Sequence, residues 1–314
     1  MIKIYGAGLA GLLCANMLRR FNPEIHEAKP SLPNNHSALL RFRIDKVGTA
    51  CAIPFKKVKV QKAIFYGGKV YNQPSLFFSN MYSQKVTGSL LPRSINNLQN
   101  SERFIAPLNL IPQMANGCKI IYNSAFKTEN LFLDSHLPIV STMPMPVLMK
   151  LVDWKEVPKF PKQKIWTQRA RIIDPDDCNV YQTIYFPDPL QSCYRVSIIG
   201  DVVISEHITE PTTNAGEHIF TTLQDCFGFR PNKLFNIENS FQEYGKILPI
   251  DEDLRKEFIY KMTTDYNIYS VGRFATWRQI LLDDVVKDIS IVEKFIECDS
   301  PNYNRLRKEI INES

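Results

Sequence analysis

The chain begins with an alternating stretch, Met1-Ile-Lys-Ile-Tyr5. It runs directly into Gly6-Ala7-Gly8-Leu9-Ala10-Gly11, and Glu27 closes the next extended segment, Glu24-Ile25-His26-Glu27. A strand ending in a GxGxxG turn, then a helix, a second strand and a terminal acid reads as a βαβ unit shaped for a dinucleotide. Gly6 permits the tight turn out of the strand, and Gly8 lets the backbone approach a pyrophosphate. Gly11 lets the following helix lie close to the sheet. That helix, Leu9 to about Arg20, turns its free N–H groups and positive dipole end toward the phosphates. Glu27 can accept hydrogen bonds from both ribose hydroxyls, with Ala28 beside it. The expected cofactor contacts are therefore Gly6, Ala7, Gly8, Leu9, Ala10, Gly11, Glu27 and Ala28.

The segment after Glu27 separates the candidate dinucleotides. A nicotinamide dehydrogenase would continue as strand, helix, strand. Here a loop rich in proline and asparagine, Lys29 to Asn35, leads to strand-like Val58–Tyr66, a Gly67-Gly68 hairpin turn and Lys69-Val70-Tyr71. A β-rich insert at this point favours FAD. The α/β pattern resumes near residue 106, with a helix over Leu108–Asn116 and a strand over Lys119–Tyr122. Further strands are expected over Leu131–Leu133 and Leu137–Thr142, and Pro144 suits the start of a helix.

A second insert reads as an antiparallel meander, Val180–Phe186, Tyr194–Ile199 and Val202–Glu206, with Gly200-Asp201 as a turn. Helices are expected over Thr212–Phe227 and Asp251–Tyr260. The chain then returns through Ile268–Arg273, a strand entering a glycine turn, to an amphipathic closing helix over Ile280–Ile296. The predicted fold is α/β. A three-layer Rossmann-like FAD-binding domain comes from residues 1–45, 106–150 and 266–298, and a mainly antiparallel β-sheet substrate domain from 46–105 and 151–265. Residues 299–314 form a tail.

Composition removes several classes. No apolar run approaches the ~20 residues that span a bilayer. The first strand starts at residue 2, leaving no room for a signal peptide, so a cytoplasmic protein is expected. The seven cysteines form no CxxC pair, and the five histidines show no HxH, HxxxH or HExxH spacing, so no metal site is expected. There is no GxSxG elbow and no P-loop. One GxGxxG alone gives no second nucleotide domain, which favours reoxidation by oxygen or redox-neutral chemistry. The net charge of +6 gathers at Arg41-Phe-Arg43, Lys56-Lys57-Val58-Lys59 and Arg305-Leu-Arg307-Lys308. Such clusters form either a solvated basic surface or a field that draws a polyanion such as nucleic acid or a nucleotide sugar.

Three motifs, Gly6–Gly11 with Glu27, Ile139-Val-Ser-Thr142-Met-Pro144 and Val271-Gly272-Arg273-Phe274-Ala-Thr-Trp277, resemble FAD-dependent oxidoreductases of the amine oxidase and UDP-galactopyranose mutase type. The resemblance implies that Thr142, Gly272, Arg273 and Trp277 lie by the FAD, with the late turn near its pyrophosphate and ribityl chain. Asn35-His36-Ser-Ala-Leu-Leu-Arg41-Phe-Arg43 and Tyr181-Gln-Thr-Ile-Tyr185-Phe-Pro187 also resemble small bacteriophage flavin enzymes of thymidine hypermodification. That resemblance implies cleavage of an amino acid attached to thymine in phage DNA.

Flavin oxidation of an amine asks little of side chains beyond orientation, electrostatics and exclusion of water. Arg41, Arg43 and Arg195 are candidates for the anionic part of a substrate. Tyr185 and Trp277 could line the flavin, and His36 lies on the loop that passes near it in related proteins. Two further readings remain open. One is a redox-neutral mutase-like enzyme using Tyr181, Tyr185 and Arg195. The other is a non-catalytic flavin-containing protein that binds nucleic acid.

Overall fold

The computed structural model describes residues 1–34, 36, 40–90, 95, 98, 101–134, 137–173, 181–211 and 234–298. The helix expected over 212–227, the tail from 299, and His136, Cys178 and His218 lie outside these residues. Five short strands, β1 (Ile2–Tyr5), β2 (Pro23–His26), β7 (Lys119–Ile121), β8 (Ile139–Ser141) and β14 (Ile268–Ser270), form a parallel sheet in the order β14-β8-β1-β2-β7. Alternation along β1 sends Ile2 and Ile4 to one face and Tyr5 to the other. Helices α1 (Leu9–Met17), α2 (Lys46–Cys51), α4 (Leu110–Ala115) and α8 (Leu282–Glu297) cover the first face through Leu12, Val47, Met114 and Ile289. Helices α6 (Met145–Leu151) and α7 (Glu252–Tyr266) cover the second through Leu148, Phe258 and Met262. The result is three layers around a sheet whose central strands β1 and β8 are covered on both sides, with the edge strand β7 partly exposed.

The second sheet is larger and mixed. Its strands are β3 (Arg41–Phe42), β4 (Lys56–Tyr66), β6 (Ser101–Ile105), β9 (Lys162–Ile172), β10 (Tyr181–Tyr185), β11 (Cys193–Ile199), β12 (Val202–His207) and β13 (Leu234–Ile247), and β5 (Lys69–Tyr71) pairs with β4. The order is β13-β9-β12-β11-β10-β4-β6-β3, and β10 with β4 is its parallel pair. The expected meander is present as β10, β11 and β12, all antiparallel. Helix α3 (Leu76–Thr87) lies against one face through Phe78 and Tyr82. The two sheets meet where Trp277 Nε1 donates to Leu248 O at 2.9 Å and Gln279 Nε2 donates to Ile247 O at 3.0 Å.

One expected strand is a helix. Leu131–Leu133 lies in the single turn α5 (Asn130–Leu133), with Leu131 buried and Phe132 and Leu133 exposed. Three apolar residues in a row carry no period that separates strand from helix. Two local features favour the helical turn: Asn130 Oδ1 accepts from Lys127 N at 2.8 Å, and Asp134, just after it, bonds Lys3 Nζ at 2.6 Å and Tyr5 OH at 3.0 Å.

Candidate cofactor and substrate site

The chain leaves β1 for β2 on one side and reaches β8 on the other, so the carboxyl ends of β1 and β8 flank a topological switch point. Open parallel sheets bind ligands at such a crevice. The loop Gly6–Gly11 fills one lip, and its tightness is steric: a Cβ on Gly11 would lie 1.9 Å from Gly6 O. Thr142, after β8, braces this loop from beneath, with its Oγ1 3.1 Å from both Tyr5 O and Gly6 O. Gly8 differs from Gly11 in that a Cβ there meets nothing within 4 Å. Gly8 is the N-cap of α1, and no side chain caps that end, so the first-turn N–H groups of α1 face open space.

Glu27 approaches the same loop. Its Oε2 accepts from Ala7 N at 2.7 Å, and its Oε1 accepts from Lys29 N at 2.9 Å. Each oxygen keeps a lone pair for a hydroxyl donor. Ala28, next to it, is exposed. The third lip is the turn after β14. Gly272 has φ +96°, and a Cβ there would lie 2.8 Å from Ala10 Cβ, so the turn presses against the start of α1. Thr276 Oγ1 donates to Gly272 O at 2.8 Å, and Arg255 Nη1 donates to Thr276 O at 3.1 Å, which fixes the turn from behind. These groups can hold a pyrophosphate at the helix end and a ribose at the carboxylate.

Strand register assembles the second half of the site. Arg41 pairs with Ile105, and Val58 with Arg103. Lys62 pairs with Thr183, Ile64 with Tyr185, Tyr185 with Arg195, and Arg195 with Glu206. Because paired residues share a face and side chains alternate, Arg41, Arg103, Lys62, Tyr185, Arg195 and Glu206 all point one way. Arg41 Nη1 donates to Thr183 Oγ1 at 2.9 Å, and its Nη2 lies 3.5 Å from Tyr185 OH. Tyr82 of α3 meets Tyr185 edge-on at 5.3 Å between centroids, and Tyr194 at 6.0 Å. Glu206 pairs with Arg195, whose Nη2 donates to Oε1 at 2.7 Å, and accepts from Tyr194 OH at 3.0 Å. Lys246 joins this face from β13, opposite Gln163.

The titrating groups on this face report a positive potential. Burial pulls the Lys246 ammonium down to about 8, assisted by Arg195, Arg273 and Arg41. Burial and the neighbouring cations also hold Lys62 and Arg103 below their ordinary values. Burial alone would raise the Tyr185 phenol, yet Arg41, Arg195 and Lys62 bring it below the usual range. Burial likewise opposes ionisation of Glu206, and Arg195 outweighs it. Trp277 and Gln279, bonded to Leu248 O and Ile247 O, bring the segment after Gly272 against the end of β13.

The expected site residues fall in different places. Arg41, Tyr185 and Arg195 share the cationic face. Arg43 lies at its rim, where its Nη2 bonds Asp284 Oδ1 at 2.9 Å and its backbone N–H bonds Asp283. Trp277 is buried against Phe160 and Tyr244 and serves the junction between the sheets. His36 is half-buried after β2. The side chain of Tyr181 lies outside the described residues. Lys62, Tyr82, Arg103, Tyr194, Glu206 and Lys246 went unread in the sequence. Period-two spacing along β4 was the signal for Lys62, whereas Lys246 needed recognition of β13.

No protein-family model matches the chain, and no curated protein matches it in sequence. Solved structures do. Reduced UDP-galactopyranose mutase aligns with a TM-score of 0.66 at 14% identity, covering 99% of this chain and 98% of the mutase. Tar14, a flavin-dependent tryptophan C-6 halogenase of taromycin biosynthesis, aligns at 0.55 and 10% identity, covering 100% of this chain and 75% of its own. A double mutant of putrescine oxidase redesigned in cofactor binding aligns at 0.50 and 9%, covering 92% and 98%. The fold is that of Rossmann-like flavoproteins. At these identities the likeness is one of fold. Among the described residues, no helix is long and apolar enough to cross a membrane.

Proposed function

We propose that the chain is an FAD-dependent oxidoreductase acting on the C–N bond of an amine or amino-acid substrate that carries negative charge. One observation carries this reading. A crevice shaped for pyrophosphate and ribose, at Gly6–Gly11 and Glu27, adjoins a sheet face lined by Arg41, Lys62, Arg103 and Lys246. Similarity of fold to a flavin-dependent halogenase and to putrescine oxidase supports it. Bound FAD would accept two electrons from the substrate carbon–nitrogen unit.

The chain's own residues would perform the rest. The first turn of α1, with Arg273, would hold the pyrophosphate, and Glu27 would hold the ribose. Arg41, anchored on Thr183, would orient the anionic part of the substrate. Tyr82, Tyr185 and Tyr194 would form an aromatic wall that keeps water from the reacting carbon. A positive surrounding also favours loss of a proton from a substrate ammonium, which leaves the neutral nitrogen that oxidation requires.

The aminoacyl-thymine version of this reading rests on sequence resemblance and the basic clusters, and it names DNA as the partner. The redox-neutral mutase-like alternative differs in needing no electron acceptor. The test is the absorption spectrum of purified protein, with identification of any released cofactor. Anaerobic mixing with amines, amino acids and modified DNA comes next. Flavin bands that bleach with an amine or amino acid are the expected result. A colourless protein that cannot be reconstituted with FAD would overturn the reading.

A further inference from the structure

Trp277 has a backbone conformation that its residue type rarely adopts. Its φ is +46°, in the left-handed region that favours glycine and strains a bulky side chain. The bonds around it show why the chain passes through that region. Thr276 N donates to Gly272 O at 3.0 Å, and Arg278 N reaches back five residues to Arg273 O at 3.1 Å. Helices end in the same way, with a left-handed residue, usually glycine, just before the donor of the longer bond. A tryptophan at that position must be held from outside, since strained conformations persist only where the surroundings over-determine them. The larger sheet supplies the hold. The buried Trp277 indole donates from Nε1 to Leu248 O at 2.9 Å, and its ring meets Phe160 edge-on at 4.7 Å between centroids. Tyr244 of β13 packs against both Trp277 and Phe274, at 5.8 Å and 5.6 Å.

We propose that Trp277 is a positioning residue for the cofactor: anchored in the larger sheet, it holds the Gly272–Gln279 turn in a strained form that fits the start of α1. The inference rests on the flavin reading of the crevice and deepens it. The fit leaves no slack, since a Cβ on Gly272 would lie 2.8 Å from Ala10 Cβ. Beyond that contact, Phe274 O accepts from Met145 N at 2.9 Å, which ties the turn to the start of α6. A turn released at Trp277 relaxes toward negative φ, and the path of Gly272 and Arg273 beside the first turn of α1 changes with it. Trp277 itself acts through the turn and needs no contact with phosphate or flavin. Leu248 directly follows β13, so the same indole joins the crevice to the sheet that carries Arg41 and Tyr185.

The experiment compares the full chain with its Trp277→Phe, Trp277→Gly and Trp154→Phe variants. Trp277→Phe keeps a ring and deletes the Leu248 bond, and Trp277→Gly removes the strain together with the anchor. Trp154→Phe alters an indole elsewhere in the same core. FAD dissociation constants are read by fluorescence titration of apoprotein, and hydrogen exchange of the Thr276 and Arg278 amides is followed without FAD. An anchored turn needs no ordering on binding. Both Trp277 variants should therefore bind FAD at least tenfold more weakly and exchange the two amides at least tenfold faster, while Trp154→Phe changes neither. Trp277→Phe alone decides if the glycine variant does not fold. Unchanged amide protection in the Trp277 variants overturns the proposal, as does faster exchange combined with wild-type FAD affinity, because lost packing alone leaves the dissociation constant where it was. Faster exchange in a chain whose wild type binds no FAD would keep Trp277 as the anchor of the turn and overturn the flavin reading.

Discussion

Arg195 and Glu206 are cross-strand partners on β11 and β12, and they form a bidentate ion pair in the centre of the larger sheet, with Glu206 buried. Tyr194 completes the acceptor shell of the carboxylate. Removing one member of such a pair leaves a charge with neither water nor partner, a loss of about 3–5 kcal/mol. Arg195→Met and Glu206→Gln should each lower stability by roughly that amount, while the double replacement should cost about as much as either single change. Urea denaturation measures all three, and fully additive losses would count against the pair acting as a unit.

The same pair sets an acid dependence. The folded carboxyl of Glu206 lies below its ordinary value, so below about pH 4.3 the unfolded chain binds more protons than the folded one. Stability from this group is present above that pH and is lost as pH falls toward the folded value. Glu206→Gln should therefore flatten the acid limb of the stability curve, measured by thermal unfolding across acidic buffers. An unchanged limb would assign the acid sensitivity to other carboxyls, such as Asp134.

Gly8 and Gly11 should fail differently. At Gly11 a Cβ collides with the Gly6 carbonyl, so Gly11→Ala should destabilise the apoprotein and lose cofactor together. At Gly8 the backbone is ordinary, with φ −70°, and the space is open. Gly8→Val should leave apoprotein unfolding unchanged while blocking the approach of a pyrophosphate. Full cofactor occupancy in Gly8→Val would refute the binding mode.

The local half of this architecture was legible. Glycines at three fixed positions and an acid closing the next strand specify a βαβ turn without help from distant sequence, and Gly67-Gly68 marks its hairpin directly. Helix α3 could have been read as well: Ser75 caps it, accepting from Phe78 N at 3.2 Å, and Gly88 ends it at φ +71°. Its apolar run, Leu76-Phe-Phe, masks those caps. The cationic face is another matter. It arises from pairings between strands as distant in sequence as β4 and β10, and no single strand's sequence says which strand lies beside it. Lys246 belongs to a strand with two bulges, whose broken alternation hides it.

Lys85 gives a basic-side prediction. Its ammonium donates to Phe186 O at 2.7 Å and Cys193 O at 2.6 Å, and burial pulls its value down to about 8. The unfolded chain holds that proton to about 10.4. Between these values the unfolded state binds more protons, so this group makes folding more favourable as pH rises. Lys85→Met should remove part of that rise and also leave two carbonyls without their donor. Stability measured from pH 8 to 10 would show a shallower slope in the variant, and an identical slope would contradict the assignment.

Thr142 offers the last test, because its hydroxyl touches the Gly6–Gly11 loop at the Tyr5 and Gly6 carbonyls. Its hydroxyl lies 3.1 Å from the carbonyls of Tyr5 and Gly6, and a donor shared between two acceptors steadies the turn on which Ala7 and Gly8 depend. Thr142→Val keeps the shape and deletes the donor, so about 1 kcal/mol of stability should go, the usual worth of one such bond. The loop would then sample orientations in which the N–H groups of α1 no longer converge, and cofactor affinity should fall by more than the stability loss alone predicts. Thr142→Ser should restore both. Equal cofactor dissociation constants in Thr142→Val and the native chain would mean that the loop is held by its glycines and by Glu27, with Thr142 contributing only to the packing of β8.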